Sequence, residues 1–187
     1  MEANNLKESV NRLNELKKDA QITMKKGLPF TLTSIVIWSL ILLVRLLGGD
    51  IRTINLYTLV CCCLLMPLAI LFSKVVKADI FKKMVNPLNK LALLNTLNQF
   101  LYLLIVMWAF SRSPEAMLLI YAMVFGAHLL PFGWVYDSKA YTVISIVETV
   151  GALAINQFCG DIATAAFMIV GEIVLSWLLY RECRNLE

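Results

Sequence analysis

Apolar residues fall in six runs, at Leu28–Leu47, Asn55–Ser73, Leu88–Phe110, Pro114–Val135, Lys139–Phe158 and Ile162–Tyr180. Each is close to the ~20 residues that carry a helix across a ~30 Å hydrocarbon core. No water reaches the backbone there, so each span must satisfy its own N–H and C=O groups as a helix. The pattern predicts an all-α, polytopic integral membrane protein, a compact bundle of six transmembrane helices over residues 28–180. The connections at Gly48–Ile54, Ser111–Ser113, Tyr136–Ser138 and Cys159–Asp161 are short, which forces sequential antiparallel neighbours.

Polar segments flank this domain. In residues 4–20, Leu6, Val10, Leu13 and Leu16 recur at helical spacing between charges, so residues 1–27 are expected to form a cytoplasmic segment with an amphipathic helix on the membrane surface. Lys25-Lys26-Gly27 marks the entry to the first span. The longest connection, Lys74–Asn89, sets Val75, Val76, Ile80, Phe81 and Val85 among lysines, which suggests a second amphipathic piece. Pro87 suits the first turn of the third span. Residues 181–187 form a cytoplasmic tail.

Composition agrees with the spans. The chain is 59% hydrophobic and 16% charged, with a mean hydropathy of +0.73; a soluble domain carries about 25% charge. Charge placement orients the bundle. Of the 17 Lys and Arg, only Arg45, Arg52 and Arg112 fall on one side. The others lie in the N-terminal segment, in the Lys74–Asn89 loop, at Lys139 and in the tail. Basic loops stay inside, so both termini are expected on the cytoplasmic face of an inner membrane. The polar, mixed-charge start does not resemble a cleavable signal. The basic residues form no dense stripe with interleaved aromatics, so no nucleic acid partner is expected.

The five cysteines point to neither disulfides nor metal. Cys61, Cys62 and Cys63 are consecutive and diverge around a helix, while Cys159 and Cys183 lie at opposite membrane faces. Catalysis is not expected. A single histidine cannot supply paired haem ligands, no His-Glu-x-x-His pair is present, and no Gly-x-Ser-x-Gly elbow appears. No cofactor is implied.

The informative residues are polar ones inside the spans. Ionisable groups in a bilayer cost several kcal/mol and normally face the bundle interior. His128 lies 7 residues from the cytoplasmic end of its span, Glu172 8, Glu148 9 and Asn95 7, about 10–14 Å deep at 1.5 Å per residue. Asn95, Asn98 and Gln99 share one helix face at i, i+3 and i+4. Thr31, Ser34, Trp38 and Pro67 fall near the same level, and Pro67 frees a backbone carbonyl near Cys63. The expectation is one polar pocket open toward the cytoplasm, in which His128 meets Glu148, Glu172 or Asn95. With no Lys or Arg at that depth, at least one glutamate is expected to carry its proton at neutral pH and donate a hydrogen bond. The competing explanation is structural: interhelical hydrogen bonds worth about 0.6–2 kcal/mol each.

Lys26-Gly27-Leu28-Pro29-Phe30, Ala127-His128-Leu129-Leu130-Pro131-Phe132-Gly133-Trp134-Val135-Tyr136 and Ser138-Lys139-Ala140-Tyr141 together resemble an uncharacterised family of small bacterial integral membrane proteins. The resemblance covers most of residues 25–180. It implies a bacterial membrane location and supplies no activity. The expected function is binding or transport of a small solute or protons through the pocket of His128, Glu148, Glu172, Asn95, Asn98 and Gln99. The alternative is a non-transporting membrane subunit or regulator. Expected partners are the bilayer, a small solute or proton, and a second copy or another membrane protein.

Overall fold

The computed structural model describes residues 2–80 and 86–186. Among them every regular element is a helix. The N-terminal helix α1 spans Glu2–Thr23 and α2 Leu28–Leu47. Next come α3 (Ile51–Cys62), α4 (Leu65–Val75), α5 (Pro87–Arg112), α6 (Met117–His128), α7 (Leu130–Val135) and α8 (Lys139–Arg184).

Two of the spans are broken at proline. Pro67 has no N–H for the Cys63 carbonyl, and residues 63–64 form the turn between α3 and α4, held by Leu64 N–H to Cys61 O at 3.1 Å. Pro131 does the same to Ala127, and α6 stops at His128 before α7 begins at Leu130. The second span starts at Ile51 rather than Asn55, because the Asp50 side chain accepts from the Arg52 and Thr53 N–H groups at 3.1 and 3.2 Å. That cap draws the preceding turn into the helix.

Five helical segments are long and apolar enough to cross a membrane. The last, α8, has 46 residues, about twice what one crossing needs. It folds back at Gly160, whose backbone (φ 78°, ψ −171°) is not helical. Contacts of Ser138 with Glu182, of Glu148 with Gly171 and of Gly151 with Phe167 run symmetrically about this bend. Residues 139–159 and 161–184 are therefore two antiparallel crossings, and the bundle has six.

The fourth crossing joins α6 and α7, as the second joins α3 and α4. Helix α2 lies at the centre against α8, α4 and α3, while α6 packs on α8 and α5. Its core is aromatic: Trp38 contacts Tyr121 and Phe125 at ring-centroid distances of 5.1 and 5.6 Å.

Helix α1 lies at one end of the bundle. The Asn86 amide donates to Leu16 O and Asp19 at 2.7 and 2.8 Å, and Lys17 sits over the Trp134 ring at 4.1 Å. Leu6 and Val10 remain exposed. Of the second amphipathic piece, Lys74 and Val75 finish α4 and the described remainder up to Ile80 is not helical. Val76–Ile80 turns, with Asp79 N–H on Thr23 O at 2.9 Å, and residues 81–85 lie outside the described residues.

Candidate functional site

Both glutamates are fully buried, one on each arm of the α8 hairpin. Glu148 is accommodated by glycines on both sides. A Cβ on Gly171 would collide with a Glu148 carboxyl oxygen, and one on Gly126 would meet the Thr149 backbone nitrogen at 2.8 Å and the Glu148 Cβ at 3.0 Å. Small residues let helix backbones approach closely in a membrane, and here they also make room for an acid. Gly171 directly precedes Glu172, so the two carboxyls are neighbours across the hairpin. Among the described residues neither carboxyl has a hydrogen-bond partner, and no Lys, Arg or His reaches them. Ser34 of α2 lies beside Glu172 but donates its hydroxyl proton to Phe30 O at 2.9 Å. One turn from Glu172, Ser176 donates to Thr31 at 2.8 Å.

A cavity of about 30 Å³ is lined by Thr31, Ser34, Thr96, Gln99, His128 and Tyr141, among others. That volume holds about two water molecules. The half-buried His128 shares its Nδ1 with the carbonyl of Phe125, and its ring lies 5.1 Å from Phe125 and 6.1 Å from Phe132. Gln99 makes no hydrogen bond among the described residues, so its amide is available to the cavity it lines. Thr31 and Ser34 belong to both halves of the site: they line the cavity and stand beside Ser176 and Glu172.

The structure divides the expected pocket. The direct pairing of His128 with Glu148, Glu172 or Asn95 is not formed. His128 and Gln99 line the cavity, whereas Glu148 and Glu172 do not. Asn95 and Asn98 belong to neither; they line an outward groove with Leu94, Leu97 and Leu101. Sequence spacing gave their depth, but rotation about the α5 axis is set by its neighbours.

Two polar networks close the ends of the bundle. At the end carrying α1, Lys26 pairs with Glu182 at 2.7 Å, Glu182 also accepts from Ser138, and the Tyr141 hydroxyl donates to Lys26 O at 2.8 Å. At the far end, buried Arg45 pairs with Asp161 at 2.7 Å and donates to Asn55 at 2.5 Å. Asn55 donates onward to Pro114 O, and Asn156 donates to Asp161 and Thr164. This far network was missed from sequence. Its signal was a cation in the last turn of a span, level with Asn55, Asn156 and Asp161.

The model of a family of unknown function, DUF7010, matches residues 13–182. The chain belongs to that family. The DUF7010 match covers α1 from its middle, all six crossings and every site residue named above, and it agrees with the resemblance read from the His128–Tyr136 stretch. For this DUF7010 protein, neither a curated protein nor a solved structure gives a match.

Proposed function

We propose that the chain carries protons between one face of a bacterial inner membrane and the buried Glu148–Glu172 pair, alone or coupled to a small solute. The observation that carries this reading is the pair itself, two adjacent carboxyls away from water with neither a hydrogen bond nor a cation. In the Arg45 and Lys26 networks each charged side chain meets an opposite charge across helices, whereas both oxygens of Glu148 and of Glu172 lack a partner among the described residues. In a low dielectric two adjacent charges without compensation are untenable, so the pair holds at least one proton in the resting state. The cavity supplies the approach. It is sized for water rather than a metabolite, it reaches His128 and Gln99, and its Ser34 wall stands beside Glu172. Ser34 completes the path by turning its hydroxyl from Phe30 to the acid. Both termini are cytoplasmic in this scheme, which puts the cavity on the inner half of the membrane, and no catalytic step is involved.

The test is proton flux into liposomes containing the purified chain and an internal pH dye. Glu172→Gln keeps shape and polarity but cannot release a proton; it should abolish the flux, and Ser34→Ala should slow it. Flux in Glu148→Gln/Glu172→Gln equal to wild type, or wild-type flux no greater than in empty liposomes, would overturn the proposal. The second reading, a non-transporting membrane subunit, would then stand, favoured by the ion-paired networks that lock both ends of α2.

A further inference from the structure

Of the five long apolar segments, helix α5 is the least buried inside the bundle, at 22%. Its outer face exposes Leu94, Leu97, Leu101, Leu104 and Trp108, alternating three- and four-residue steps along one seam. A lipid-facing helix accounts for the apolar residues but not for the amides among them. Asn95 and Asn98 flank this seam, half-buried, and make no hydrogen bond among the described residues. They lie 8 and 11 residues after Pro87, about 12–17 Å along the helix, near mid-bilayer. An amide there has only hydrocarbon to face, unless another helix offers a partner.

We infer that this face is an interface between two copies of the chain, joined through α5 with Asn95 and Asn98 hydrogen-bonded across the seam. The chemistry selects a second copy. Asn carries both a donor and an acceptor, so identical amides satisfy each other across a two-fold axis. Two chains of one orientation in one bilayer are related by an axis along its normal, so their α5 helices run parallel and bring like residues to like. Between Lys90 and Arg112 the helix has no charge, so nothing on this face asks for a partner of opposite sign. Polar residues at such a seam fix register as well as adding affinity.

The experiment measures self-association of the full chain in liposomes at increasing lipid dilution, by energy transfer between labelled copies. Wild type should form dimers, Asn95→Leu/Asn98→Leu should weaken them at least tenfold, and Asn95→Gln/Asn98→Gln should retain most association. Circular dichroism checks that each variant is folded. Monomeric wild type at every dilution would overturn the inference. So would dimers unaffected by the double leucine change, which would place the interface elsewhere. Co-purification of a different membrane protein on this face in place of the second copy would overturn it too. The proton-flux assay is independent, so the two proposals fail separately.

Discussion

Replacing Gly171 with alanine reads the position of the Glu148 carboxyl directly. The new methyl group would fall on a Glu148 oxygen, with the Cδ and Cγ atoms each 3.1 Å away. A carboxyl tip usually swings aside, but Glu148 is fully buried and its Cβ is held against Gly126, so any shift must displace packed neighbours. Overpacking of this kind costs about 1–3 kcal/mol. Alanine's better helix propensity offsets about 1 kcal/mol of that, so the single variant alone is a blunt instrument. The coupling is the clean quantity. In a Glu148→Ala background the obstruction is gone, and Gly171→Ala should become neutral or stabilising. The coupling between the two changes should be about 1–3 kcal/mol, measured by reversible unfolding in mixed micelles followed by circular dichroism. A coupling below about 0.5 kcal/mol, the scatter of independent sites, would show that the carboxyl does not occupy that space and would refute the glycine-cradle argument.

At the far end, Asp161→Ala should destabilise more than Arg45→Met. The first leaves a buried guanidinium without its anion, costing about 3–5 kcal/mol, whereas Asp161, a quarter exposed, regains solvent when Arg45 is lost; the same unfolding assay reads the order. A reporter fused after Glu187 should be active only on the cytoplasmic side, and one inserted at Gly49 only on the other. Tyr141→Phe removes the hydrogen bond to Lys26 O and should cost about 1 kcal/mol, with faster tryptic cleavage at Lys25 and Lys26, both at positive φ.

The crossings were legible because lipid leaves the backbone one solution, and Leu28–Leu47 and Pro114–Val135 need no adjustment. The depth of the polar residues was legible for the same reason: it follows from counting along a helix of fixed rise. Which way each residue faces was not. Asn98 and Gln99 are neighbours in sequence, yet one lines an outer groove and the other the cavity, and only the contacts of α5 with the bundle decide which. His128 lines the cavity with its Nδ1 turned back to the Phe125 carbonyl, so it does not pair directly with the glutamates. Glycine gives no hydrophobic signal, so the roles of Gly126 and Gly171 emerge only when helix backbones are seen side by side. Arg45 counted as a loop charge by its position at a span end, whereas its partners come from segments up to 116 residues away.

The bend at Gly160 also bears on how the chain enters the membrane during synthesis. A single residue separates the last two crossings, so neither arm has a loop long enough to wait outside while the other inserts. Each arm alone would show an unpaired acid to lipid, a burden of a few kcal/mol for a lone helix. Folded at Gly160, the arms turn those acids toward each other and leave the bilayer Val143, Val147, Val150 and Val170, all exposed on the hairpin surface. The hairpin is therefore the unit of insertion.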